Sequence, residues 1–175
     1  DIPLFATGEP AGHVIDGVPV ARVFGIEVRV SLAWAILVAL VTLIGSQQAS
    51  VTAPSLPPVA HWVIGLAVAL AFLGTVIAHE LAHALVGRRR GVETTTIQLG
   101  FIGGLAPLSI DAPRPRDELA IAVAGPLVSL VIAAASLALA AAAGFEGGPL
   151  GALGGGLLVV GGLNLVLGLL SLLPG

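Results

Sequence analysis

The sequence contains no cysteine, methionine, tyrosine or lysine, and it contains few charges of either sign. Without cysteine the chain has no disulfide framework, so cysteine usage does not indicate a redox compartment. Only 10% of the 175 residues are charged, whereas soluble domains carry about 25%. With 57% hydrophobic residues and a mean hydropathy of +1.07, the composition predicts an integral membrane protein.

Four apolar segments are candidates for crossing a bilayer. We predict spans at about 30–44, 61–87, 119–143 and 150–173. The last three reach about 35–40 Å at about 1.5 Å per residue, whereas the first is short and needs its flanking residues. The predicted fold class is therefore an α-helical integral membrane protein with four transmembrane helices, whose membrane core covers residues 30–175.

All seven basic residues are arginines, and in a four-span arrangement they all fall on one side of the membrane. They lie before the first span, after the second and before the third. The positive-inside rule then places the N-terminus and the 88–116 loop in the cytoplasm. Abundant Ala and Gly with arginine as the only strong base is typical of a GC-rich genome. We expect a multi-pass protein of a prokaryotic cell membrane.

Two segments outside the spans have the alternation of β-strands. Residues 18–30 alternate loosely and break at Gly25, which predicts a hairpin within a cytoplasmic lead-in of residues 1–29. Residues 92–99 carry β-branched side chains at every second position and predict a strand. The following segment is too short to span and is a candidate for re-entering the membrane. Residues 92–108 are thus predicted to form a small membrane-associated β element.

The segment from His79 to His83 places three ionisable side chains inside the second apolar span. His-Glu-x-x-His on a helix puts both imidazoles on one face, where they can bind one metal ion. Glu80 lies beside them and can act as a general base. Because such a trio costs a few kcal/mol to place in hydrocarbon, we interpret it as a zinc site and not as a polar cluster that only joins helices.

A catalytic zinc site needs a third protein ligand and an open position. His83 lies five residues before Arg88, roughly 7–8 Å along a helix, so the site is expected in the cytoplasmic third of the membrane. No carboxylate in the sequence is a convincing third ligand. We interpret Asp111, Asp117 and Glu118 as interfacial charges. Glu146 lies on the opposite side of the membrane from the site in the four-span arrangement.

The zinc motif and three further motifs, in this order, resemble the site-2 protease family of intramembrane zinc metalloproteases. The segment His79–His83 is similar to that family's zinc motif, and Gly103 with Gly104 to the glycine pair of its membrane-associated strand region. Residues 115–118 followed by 124–129 resemble the start of its third core helix. Residues 164–175 resemble the approach to its last motif. The resemblance covers nearly the whole chain.

The resemblance implies a zinc-dependent endopeptidase that hydrolyses peptide bonds within transmembrane segments, in regulated intramembrane proteolysis. It implies one Zn²⁺ per chain, held by His79 and His83, with Glu80 as the catalytic residue. The implied substrates are single-span membrane proteins such as anti-sigma factors or signal-peptide remnants. The substrate-binding residues implied are Gly103, Gly104, Asn164 and Ser171, with an interhelical hydrogen bond as the alternative role of Asn164.

The sequence departs from the family pattern in two places. The family's last motif continues as Pro-Leu-Asp-Gly, whose Asp is the third zinc ligand, whereas this sequence stops at Gly175. We therefore expect the third ligand to be an Asp beyond Gly175, and the 175-residue chain alone to bind zinc weakly and cleave nothing. In addition, Ser171 stands where the family usually has Asn, so its hydrogen-bonding reach is shorter.

Two other functions fit the same features. One is a catalytically inactive relative that binds membrane segments, against which Glu80 argues. The other is a membrane metal transporter, which would need further polar residues along the spans. Expected partners also include the lipid bilayer and exclude nucleic acid, and a homo-oligomer is left open.

Overall fold

The computed structural model describes residues 17–92, 96–99, 114–145 and 147–173. Two strands, β1 (Val18–Val23) and β2 (Ile26–Val30), precede helices α1 (Trp34–Thr52) and α2 (Pro58–Arg89). After them come strand β3 (Thr96–Leu99) and helices α3 (Pro115–Ala143) and α4 (Gly148–Leu170). All four helices are long and apolar enough to cross a membrane. The predicted fold class is confirmed: four membrane helices with a small β element.

The first helix is longer than the sequence predicted. The predicted span ended at Ile44, but α1 continues to Thr52. In its polar last turns, hydroxyls bond to backbone carbonyls of the same helix, as Ser46 Oγ does to Leu43 O at 2.9 Å and Thr52 Oγ1 to Gln48 O at 3.0 Å. These hydroxyl groups are therefore satisfied inside the helix.

Helices α1 and α2 touch through their backbones at two glycines. A Cβ placed on Gly65 would lie 2.7 Å from the backbone nitrogen of Ser46, and one on Gly45 would lie 3.0 Å from the Gly65 Cα. Small residues allow this close approach. In a membrane no hydrophobic driving force brings helices together, because lipid tails are also apolar, so close packing favours their association.

The sheet covers one end of the helix bundle. Its order is β1-β2-β3, with β1 antiparallel to β2 and β2 parallel to β3. One face buries Ile26, Val28, Ile97 and Leu99 in the core shared with the helices. The predicted hairpin of residues 18–30 is confirmed, and the predicted strand is confirmed over Thr96–Leu99.

The opposite face of the hairpin carries charge. Glu27 accepts a hydrogen bond from Arg29 at 2.7 Å and lies 3.4 Å from Arg22. The hydrogen bond from Arg29 contributes most to holding the pKa of the Glu27 carboxyl below its ordinary value. The sheet therefore has an apolar face toward the helices and a charged face away from them.

Segments that carry the arginines meet at this end of the bundle. Arg88 Nη1 donates to the backbone oxygen of Phe24 at 2.7 Å, which joins the hairpin to the end of α2. Arg90 forms an ion pair with Asp117, which joins the end of α2 to the start of α3. This placement agrees with the four-span sorting of the arginines, while the side of the membrane remains a prediction.

Candidate active site

The two histidines of α2 face α3 and lie against each other. His79 is buried, with 3% of its surface exposed, and His83 is partly buried one turn later. Their Nε2 atoms are 3.1 Å apart, and the ring centroids are separated by 4.9 Å. The helical spacing of four residues thus brings two ring nitrogens to one point at the α2–α3 contact.

Helix α3 holds the outer nitrogens of both rings. His79 Nδ1 lies 2.8 Å from the hydroxyl oxygen of Ser129, and His83 Nδ1 lies 2.7 Å from the carbonyl oxygen of Ile121. A carbonyl only accepts hydrogen bonds, so His83 Nδ1 carries the proton and the neutral ring has its lone pair on Nε2. Partners of this kind fix the orientation and tautomer of histidines that bind metal.

A glycine allows α3 to approach this closely, and a proline follows it. A Cβ on Gly125 would lie 2.6 Å from Cδ2 of His83 and 2.7 Å from Cδ2 of His79, so any larger residue would collide with both rings. The next residue, Pro126, is buried inside the helix. It has no amide hydrogen, so one hydrogen bond of this turn of α3 is missing.

The Ser129 hydroxyl is completely buried and can donate or accept. If it donates to His79 Nδ1, His79 Nε2–H donates to His83 Nε2 and a continuous hydrogen-bonded chain ends at the Ile121 carbonyl. If His79 Nδ1–H donates to Ser129 instead, both Nε2 lone pairs face the same point. The second arrangement points the lone pairs of two neutral imidazoles at each other. A cation bound between the two nitrogens would remove the repulsion of these lone pairs.

The spacing of the two nitrogens fits zinc. Zinc binds imidazole nitrogen at about 2.0–2.1 Å, so two nitrogens at a tetrahedral ion lie about 3.3–3.4 Å apart. The observed 3.1 Å is within a small ring rotation of that value. Within the described ranges, no group of three or more His, Cys, Asp or Glu side chains could hold a metal ion.

The other predicted site residues lie at different distances from the histidines. Glu80 follows His79 directly and is partly buried. Asn164 is fully buried in α4, where its Nδ2 donates to Thr75 Oγ1 and to Val160 O, each at 2.9 Å. Thr75 lies one turn before His79, so Asn164 joins α4 to α2 beside the histidine pair. Its Oδ1 is buried and has no hydrogen-bond partner among the described residues.

Ser171 follows the end of α4 and is exposed, and its hydroxyl donates to Leu167 O at 2.7 Å. This hydroxyl is therefore already used in a hydrogen bond to the last turn of its own helix. The remaining predicted substrate-binding residues, Gly103 and Gly104, lie outside the described residues, as does Asp111.

Sequence reasoning did not single out Gly125, Ser129 or the Ile121 carbonyl as contacts of the histidines. A signal was present for two of them, because Gly125 and Ser129 are small residues four apart on an apolar helix, a spacing that favours close helix contact. A backbone carbonyl leaves no signal in the sequence. The rotation of α3 that points it at His83 is a tertiary property.

Residues 67–157, more than half of the chain, match the model of peptidase family M50. The chain belongs to peptidase family M50. The matched segment contains both histidines, Glu80 and Ser129. The resemblance to site-2 proteases drawn from the motifs is thereby confirmed.

Named relatives agree with this assignment. A protein of Synechocystis sp. that is named as a zinc metalloprotease is 38% identical over 117 residues, covering 67% of this chain and 31% of that protein. Rip3 of Mycobacterium tuberculosis, also named as a zinc metalloprotease, is 36% identical over 121 residues, covering 68% of this chain and 30% of Rip3. The chain therefore spans about a third of the length of the curated relatives it matches.

A solved structure shares the fold. The site-2 protease from Methanocaldococcus jannaschii superposes with a TM-score of 0.52 and 28% sequence identity, covering 86% of this chain and 64% of that one. The M50 family and the names of these relatives imply zinc as the metal.

Proposed function

We propose that this M50 chain is the catalytic core of an intramembrane zinc endopeptidase. One observation carries the proposal. Two histidine Nε2 atoms lie 3.1 Å apart, their Nδ1 atoms are held by α3, and the helix that bears them is apolar and long enough to span a membrane. Polar groups at such a depth are costly and mark functional sites.

Each side chain has a distinct role in this proposal. His79 and His83 hold one zinc ion per chain through Nε2, and Ser129 and Ile121 O fix their rings. Zinc in such a site activates water for attack on a peptide carbonyl. Glu80 takes the proton from the attacking water and delivers it to the leaving amine nitrogen. In this proposal, the Oδ1 of Asn164, which has no hydrogen-bond partner among the described residues, and the exposed Ser171 hydroxyl would contact the substrate segment.

The third ligand expected from the family resemblance is an Asp past Gly175. The packing of α4 on α3 supports this position. Added Cβ atoms would bring Gly161 against Leu137 and Gly168 against Leu130 and Pro126, so the two helices run antiparallel. One turn past Gly168, the residues that follow α4 lie at about the level of Gly125, which supports a third ligand located after α4.

The proposed substrates are single-span membrane proteins, such as anti-sigma factors or signal-peptide remnants. Carbonyls of a substrate helix are already hydrogen-bonded, so the segment must unwind before attack. Strand β3 is the last strand in the described sheet order, and its outer edge can pair with an unwound segment. We place this end of the bundle, with its arginines, at the cytoplasmic side.

Two substitutions in the full-length protein test the proposal. Glu80→Gln should retain about one zinc per chain and lose cleavage by about 10²–10⁴-fold, because it removes the base but no ligand. His79→Ala should lose both zinc and cleavage. Zinc content would be measured by elemental analysis, and cleavage with a single-span substrate in proteoliposomes. An emptied site in Glu80→Gln, or normal cleavage by it, would refute the assigned roles.

A further inference from the structure

The turn of the N-terminal hairpin has an unusual residue at its tip. Phe24 and Gly25 form a two-residue turn between the paired residues Val23 and Ile26, with φ of 52° and 80°. A turn with positive φ at both central residues favours Asn-Gly or Asp-Gly. Among the described residues, Phe24 is the one non-glycine residue with positive φ. A bulky residue there costs free energy, so the aromatic side chain needs a compensating contact.

The protein itself provides little of that contact. Phe24 is 69% exposed, and the neighbouring strand β1 exposes Val18 by 66% and Val20 by 54%. Val18 and Val23 pair across the sheet with Val30 and Ile26, so their side chains lie on the face that packs on the helices. Val18 therefore carries the apolar face of the sheet past the helices, while Val20 lies at the bulge between Pro19 and Ala21.

The position of the turn indicates what covers this face. Arg88 Nη1 donates to the backbone oxygen of Phe24, which fixes the turn at the end of α2, where the apolar part of a membrane helix gives way to three arginines. That boundary is the level of lipid headgroups. On the other face of the hairpin, Arg22 is exposed and ion-paired with Glu27, as expected for a face in water.

We propose that the β1–β2 turn is a membrane anchor, in which Phe24 enters the boundary between headgroups and acyl chains and Val18 rests on it. The occupant of this surface is the lipid bilayer. Apolar side chains beside basic ones commonly bind membranes in this way, reaching about 5–10 Å into the interface. Because β2 joins β1 to β3, this anchor also fixes the height of β3 relative to the bilayer.

Site-directed spin labelling tests the anchor, and the absence of native cysteine makes single labels clean. Nitroxides would be placed at Phe24→Cys and, as a matched control on the charged face, at Arg22→Cys. The full-length protein would be reconstituted in phosphatidylcholine–phosphatidylglycerol vesicles. We expect the label at position 24 to collide several-fold more with oxygen relative to a water-soluble nickel chelate than the label at position 22. Equal ratios at both positions would overturn the proposal, as would protection of position 24 from both reagents, which indicates a covering protein segment.

A second variant separates the anchor from the fold of the hairpin. Phe24→Asn places the preferred Asn-Gly pair in the turn, so the hairpin is retained while the aromatic side chain is lost. With a reporter at Val18→Cys, Phe24→Asn should shift the collision ratio toward the nickel chelate. An unchanged ratio would show that Phe24 does not hold the hairpin at the membrane. Neither experiment depends on zinc or on cleavage, so its failure is distinguishable from failure of the proposed function.

Discussion

The two halves of α2 meet helices α3 and α4 in opposite ways. In the half that carries the histidines, α3 approaches through Gly125 and supplies a polar partner to each ring. In the other half, between Ile64 and Ala71, α2 and α4 leave an apolar groove of about 420 Å³. The groove begins about 12 Å along the helix from His79. The same helix thus makes a close polar contact with α3 at one end and leaves an apolar groove toward α4 at the other, while its contact with α1 at Gly65 is close.

This difference follows from the cost of placing polar side chains in an apolar bundle. A buried polar atom in hydrocarbon costs several kcal/mol unless it has a partner, whereas an apolar groove can be filled by lipid at little cost. Toward α3, the close contact lies where the Nδ1 atoms must be satisfied, whereas toward α4 the helix borders the apolar groove. This contrast predicts that substitutions near the histidines have large effects and that comparable substitutions in the groove have small ones.

The largest effect in this comparison is expected from Gly125→Ala. The added methyl group would collide with both imidazoles, so we expect a loss of about 1–3 kcal/mol of stability and a strong loss of zinc. Gly74→Ala, on α2 five residues before His79, is the matched control because its Cβ meets nothing within 4 Å. Thermal unfolding in detergent and zinc content measure the two effects. Equal behaviour of the two variants would contradict the close approach of α3.

A smaller effect is expected from Ser129→Ala. Losing the partner of His79 Nδ1 should weaken zinc binding by about 10–100-fold, the usual effect of a residue that orients a ligand. Ser136→Ala removes a buried hydroxyl from the same helix two turns later and should change zinc affinity by less than about 2-fold. Competition with a zinc chelator measures both. If the two serines prove equivalent, Ser129 does not position His79.

The smallest effect is expected in the groove. Ala67→Val adds two methyl groups to its open wall, so stability should change by no more than about 0.5 kcal/mol and zinc affinity should stay the same. Thermal unfolding and chelator competition provide the readouts. A loss of zinc affinity comparable to that of Ser129→Ala would show that the two halves of α2 are not independent.

Much of the fold follows from local sequence, and part of the site does not. Hydropathy predicted all four helices, and the alternation around Gly25 predicted the hairpin. Both signals come from residues that lie close together in the sequence. The spacing of His79 and His83 is likewise local. Ser129 is 50 residues from His79 in sequence, and its role depends on the rotation of α3 about its axis. The end of α1 was also predicted wrongly, because hydropathy counts serine and glutamine as polar. It does not register that hydroxyl groups can bond to backbone carbonyls of the same helix.

The most direct test of the central claim is zinc K-edge X-ray absorption of the full-length protein. The account predicts two imidazole ligands per zinc, at about 2.0–2.1 Å. Glu80→Gln should give the same two-imidazole spectrum, and either His79→Ala or His83→Ala should abolish it. A zinc ion with one imidazole or none in the unsubstituted protein would contradict the assignment of the His79–His83 pair as the metal centre.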